Sequence, residues 1–169
     1  LSAIGRDETF VELNRQLDGG AMSLRLEALA GSAYTALIAT TVKRRGGVHL
    51  IVADDRDAAA YAAADLYALL DAERVMFLPT SYKRSIQFGQ ADAAGSVQRT
   101  AALNAIRNFN GGYLVVCTYP EALAERVADE SSLSERSITL SVGDNIPIQQ
   151  LEDMLIERGF VQVDFVYEP

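Results

Sequence analysis

The sequence predicts a doubly wound parallel α/β sheet followed by part of a smaller α+β domain. Three observations lead there. Short continuous apolar runs alternate with longer segments of helical period, the pattern of strands joined by crossover helices. Glycine pairs at Gly19-Gly20, Gly46-Gly47 and Gly111-Gly112 separate these segments. After the polar stretch Asp129–Arg136, the pattern restarts as a single β-α-β piece.

Asp7 is placed to cap a first helix reaching Leu17, with Phe10, Leu13, Asn14 and Leu17 on one face. Met22 to Leu29 alternates apolar and polar residues, which predicts a strand. A turn at Ala30-Gly31-Ser32 leads into a helix over 33–44, whose end carries Lys43, Arg44 and Arg45, favourable at the negative pole of the helix dipole. Val48–Ala53 reads as a strand buried on both faces. Asp57 then caps an alanine-rich helix to about Asp71. Val75–Leu78 is a further buried strand, and Pro79–Gly95 a long polar loop. Ser96 caps a helix to about Asn108, and Tyr113–Cys117 is another buried strand. In the second unit, Ser137–Val142 is a strand, Gly143-Asp144 a turn, 148–158 a helix and Val161–Val166 a strand.

The 169 residues carry a formal net charge of −8 and a single cysteine. So acidic a chain is poorly suited to grip DNA alone, although Lys43, Arg44, Arg45, Lys83 and Arg84 form a possible basic surface. One cysteine excludes an internal disulfide and fits a reducing cytoplasm. No apolar run is long enough for a membrane span. The acidic balance points to protein partners or simply to solubility.

The second element ends in Ala28-Leu29-Ala30-Gly31-Ser32-Ala33-Tyr34-Thr35, at the strand-turn-helix location of a phosphate loop, G-x-x-x-x-G-K-[ST]. Its chemistry is degenerate. Ala28 and Ala33 replace the two glycines whose backbone wraps phosphate, and Tyr34 replaces the lysine. Gly31, Ser32, Ala33, Tyr34 and Thr35 therefore read as a non-functional loop. The alternative is a small magnesium-nucleotide enzyme using Thr35 with Asp54 and Asp55, which imitate an acidic pair after a buried strand. The plainer role for both aspartates is turn and helix start.

The ordered series Gly31–Thr35, Leu50–Asp55, Phe77–Tyr82, Gln98-Arg99, Val115–Thr118, Glu121–Leu123, Gly143-Asp144, Gly159-Phe160 and Val163-Asp164 resembles the N-terminal module of the bacterial transcription-repair coupling factors. That module is itself similar to the damage-verification helicase UvrB. The resemblance implies a degenerate helicase-like domain over 1–134 and the first part of a UvrA-docking domain over 135–169. It implies a role in nucleotide excision repair, recruiting the UvrA protein to RNA polymerase stalled at lesions. On it, Phe160, Val161, Gln162, Asp164 and Glu168 belong to the partner-binding surface. RNA polymerase, DNA, ATP and magnesium would be engaged by other parts of the parent, and this segment would hold no cofactor. The family's Arg-Gly pair lies beyond Pro169, and Val161 stands where some members carry a basic residue. The docking domain is thus expected to be incomplete, and its tail to self-associate.

Among the remaining candidates, Tyr82, Lys83 and Arg84 form a basic, aromatic cluster in the long loop, suited either to a partner or to simple solvation. Arg99, near a helix start, opposes the dipole and calls for a carboxylate partner. His49 has no second histidine for a metal site. Cys117 reads as a buried, inert thiol. No residue is assigned a catalytic or metal-binding role.

Overall fold

The computed structural model describes residues 7–82, 92–127, 138, 140–157 and 160. It divides into two compact units, Leu1–Glu125 and Arg126–Pro169. Among the described residues it is a mixed α/β structure with one three-stranded parallel sheet and six α-helices.

The Asp7 carboxylate accepts from the N–H groups of Thr9 and Phe10 at 2.9 and 3.4 Å, opening α1 (Glu8–Asp18) as its cap position predicts. Phe10 and Asn14 are the buried residues of α1, and Gly19 ends it. The strand expected over Met22–Leu29 does not form. The segment has no ladder partner among the described residues, Ala28 within it lies at φ +61°, and Met22 is fully exposed. Alternation gives a segment two faces, whereas a strand also needs a neighbour to bond.

Helix α2 (Ala33–Arg45) ends in three cations, of which Arg44 and Arg45 both pair with Asp18. Gly46 then turns the chain at φ +65°, and a Cβ there would sit 2.8 Å from the Gly112 carbonyl oxygen. That oxygen accepts the Gly47 N–H at 2.8 Å, so the two glycine pairs meet where β1 (Gly47–Val52) begins.

Helix α3 (Arg56–Leu69) is capped by Asp55, not Asp57: the Asp55 carboxylate accepts the Ala58 N–H at 2.8 Å. Asp57 falls in the first turn, where its charge favours the positive helix pole. A short 3₁₀ turn, Ala72–Arg74, leads to β2 (Val75–Phe77). Helix α4 (Ala93–Arg107) starts earlier than expected, shortening the polar loop. Asp92 holds its cap position and Ser96 lies inside it, donating its N–H to the Asp92 carbonyl at 2.8 Å. β3 (Tyr113–Thr118) follows, and α5 (Pro120–Ala124) starts on a proline whose missing N–H costs a helix nothing there.

The sheet order is β1-β3-β2, all parallel. β3 is central and buried from Leu114 to Thr118. Its alternate residues face opposite sides. Val115 and Cys117 pack with Ala39 and Val42 of α2 and with Ala63, Leu66 and Leu70 around α3. Leu114 and Val116 pack with Leu78 and with Ala102 of α4. β1 corrects the expectation of a strand covered on both faces. It is an edge strand, with Val48, Leu50 and Val52 exposed by 44%, 51% and 47%. These residues pair with Leu114, Val116 and Thr118 and so share the α4 side of the sheet. The packed cluster on that side draws on α4, β2 and β3 but not on β1.

Burial pushes the Cys117 thiol up to about 12. An unfolded thiol ionises near its ordinary value of about 9, so the native state holds a proton that the unfolded chain releases. Stability from this group is full below about pH 9 and is lost as pH rises toward 12. We expect Cys117 to react with a thiol reagent at pH 8 only at the rate of global opening. Rapid stoichiometric labelling of the native chain would contradict the burial.

In the second unit, Gly143 turns at φ +103° and the Asp144 N–H donates to the Ser141 carbonyl at 3.0 Å, forming the expected turn. Of the strand expected over 137–142, Ile138 and Leu140–Val142 are described and are not strand. Helix α6 (Ile148–Glu157) agrees with expectation, and none of its residues is buried. The strand expected at 161–166 lies outside the described residues.

Candidate functional site

Open parallel sheets bind ligands at the carboxyl ends of their strands. Here that end is built from Ala53-Asp54-Asp55 after β1, Leu78–Tyr82 after β2 and Thr118-Tyr119 after β3, with the turn at Gly31–Ala33 opening α2.

The turn opens α2, but no strand leads into it, so the strand-turn-helix location expected of a phosphate loop is not reproduced. Gly31 lies at φ +56°, as a glycine can. Ala28, at the first glycine position, is forced to φ +61° and is the one non-glycine residue with positive φ among those described. A methyl group in this region costs of the order of 1 kcal/mol. Ala28→Gly should therefore raise stability by roughly 0.5–1 kcal/mol, readable as a higher urea midpoint at unchanged slope. An unchanged or lower midpoint would contradict the strain.

The side chains of the loop are committed elsewhere. The Thr35 hydroxyl, the group placed to reach a magnesium ion, lies 3.1 Å from both the Ser32 carbonyl and an Asp65 carboxylate oxygen. Thr35 is buried. Asp55 is spent as the α3 cap. Tyr34 is half-exposed, and its phenol is shifted upward, chiefly by burial, with the Asp54 carboxylate adding to the shift. It stays neutral at physiological pH and offers no cation to a phosphate. Beside the loop, an apolar cavity of about 640 Å³ opens between α1, residues 25–29 and α2, walled by Phe10, Leu13, Leu26, Leu29, Ala33 and Leu37.

At the ends of β2 and β3 lies a dense polar network. Arg99 is buried, donating from Nη1 to the carbonyls of Pro79 and Ala122, both at 2.9 Å, and from Nη2 to that of Glu125 at 3.1 Å. Its Nε lies 3.5 Å from the Glu125 carboxylate, the partner the sequence calls for. Glu125 also accepts from the Ser81 N–H at 2.9 Å and from the Ser81 hydroxyl. The Tyr119 hydroxyl accepts the Thr80 N–H at 3.0 Å. These groups satisfy one another, which marks a clamp tying α4 and α5 to the sheet.

Other candidates scatter. His49 bonds the Gly46 carbonyl through Nε2 at 2.7 Å, a structural role. Tyr82 is exposed, while Lys83 and Arg84 lie outside the described residues. Phe160 is exposed, with its N–H donating to the Leu155 carbonyl at 3.1 Å. Val161, Gln162, Asp164 and Glu168 lie outside the described residues. Sequence reasoning missed Asp65, Glu125 and Tyr119. An acid within the alanine-rich α3 was the available signal for Asp65.

No group of three or more His, Cys, Asp or Glu that could hold a metal occurs among the described residues, and no described helix is long and apolar enough to cross a membrane. Comparison of the chain with family models, with curated proteins and with solved structures found no match in any of the three.

Proposed function

We propose that the chain is the opening segment of a bacterial transcription-repair coupling factor and acts as a nucleotide-free protein-interaction module. The observation that carries this reading is the Thr35 hydroxyl, held between Ser32 and Asp65 in the first turn of α2. A loop without lysine or its glycines, whose threonine already has partners, lacks the means to bind Mg-triphosphate. Helices α2 and α3 on one side of the sheet and α4 on the other support the doubly wound reading.

On this reading the first unit is a rigid carrier, made stiff by the Arg99 clamp. The second unit carries the surface for the UvrA repair protein, with Phe160 exposed upon it. RNA polymerase, DNA and the ATP-driven motor belong to the rest of the parent, and the place of work is the cytoplasm. The proposal is tested by fluorescence anisotropy of the labelled chain titrated with purified UvrA. Saturable binding, weakened several-fold by Phe160→Ala, is the expected result. A folded chain that leaves UvrA untouched through tens of micromolar would overturn the docking role.

A further inference from the structure

Among the described residues, the edge of the sheet formed by β1 is apolar in its exposed side chains and unpaired in its backbone. Gly47 and Ala53 donate their N–H groups to Gly112 and Thr118 at 2.8 and 2.9 Å, toward β3. In a parallel ladder the bonding direction alternates along the strand. His49 and Ile51 therefore also turn toward β3, and Val48, Leu50 and Val52 turn their N–H and C=O groups outward. Among the described residues no strand pairs with them. Their side chains are the three exposed ones of the strand. Such an edge is a template for another strand.

Charge selects the occupant. Immediately before β1 stand Lys43, Arg44 and Arg45, three cations, of which Arg44 and Arg45 share the Asp18 carboxylate. Immediately after it stand Asp54, Asp55 and Asp57, with Arg56 among them. The strand thus runs from a basic end to an acidic end. A partner strand of the same composition, laid antiparallel, puts each basic end against an acidic one.

We propose that β1 pairs antiparallel with β1 of a second copy, across a two-fold axis through Leu50. The position of the axis follows from the outward groups. Only residues with outward N–H groups can exchange bonds, so Val48, Leu50 and Val52 must face one another across the axis. An axis at Leu50 sets Leu50 against Leu50 of the partner subunit and Val48 against Val52 of the partner subunit, using all three. It joins two three-stranded sheets into one of six and sets the two exposed apolar rows side by side. This surface lies in the first unit and differs from the chain's last residues, the other candidate for self-association.

Sedimentation velocity of the full chain over a concentration series, micromolar to millimolar, tests it. The weight-average mass should rise from 18.3 kDa toward twice that value. Leu50→Lys, at an exposed position, should keep the monomer's circular dichroism and abolish the rise. Asp54→Lys should weaken association several-fold by placing like charges together. A wild-type chain that stays monomeric throughout overturns the proposal. So does a dimer indifferent to Leu50→Lys, which would place self-association on another surface.

Discussion

Arg99→Ala should be among the most damaging single changes in this chain, lowering stability by about 3–4 kcal/mol and Tm by roughly 10 °C. The guanidinium is 7% exposed and serves three carbonyls from two separate segments, Pro79 after β2 and Ala122 and Glu125 in and after α5. Its removal leaves those acceptors without this donor and the Glu125 carboxylate, 16% exposed, without its neighbouring cation. Breaking a buried pair costs more than the pair contributes, because the surviving charge stays buried. Arg99→Lys should recover little, since one ammonium cannot span three carbonyls that a planar fork reaches. Thermal melts of both variants check this. Two melts within 2 °C of wild type, about 1 kcal/mol or less, would show the clamp to be ornamental.

Leu66→Ala should cost about 3 kcal/mol by a different route. Leu66 is fully buried among Ala39, Val42, Ala63, Leu70, Val75, Val115 and Cys117, between two helices and the sheet. Leu70 apart, its buried neighbours are small or β-branched and held by secondary structure on three sides. They collapse poorly into the space left, so both the transfer loss and the cavity loss are felt. The unfolding midpoint in urea should fall while the slope stays near that of the wild type. A fall of under about 1 kcal/mol would mean that this part of the core relaxes freely.

The sequence was most readable where one residue settles the local structure. Asp7 has a carboxylate suited to two free N–H groups, and α1 begins there. The run of acids Asp54, Asp55 and Asp57 was readable as a helix start, but not which acid caps it. That depends on which backbone is extended, and Asp55 is the one at ψ 180°. Sheet order was the larger gap. A continuous apolar run such as Val48–Val52 fits a central strand and an edge strand equally well, and hydrophobicity carries no information about neighbours. The same limit produced the strand expected at Met22–Leu29. Arg99 was legible as needing a carboxylate because a cation near a helix start opposes the dipole. The identity of Glu125 was not, because 26 residues separate them and only the tertiary fold joins them. The phosphate-loop reading rested on residue types and on an expected strand-turn-helix location whose strand does not form, and it missed Asp65, which lies 30 residues from the Thr35 it engages.

Isothermal titration of the full chain with ATP and magnesium bears most directly on the proposal that the chain is nucleotide-free. The expected result is no heat beyond dilution, with the amide resonances of Gly31, Ser32 and Thr35 unmoved at saturating nucleotide. Saturable micromolar binding that shifts those three amides would restore the loop as a triphosphate site and contradict a module that works by protein contact alone.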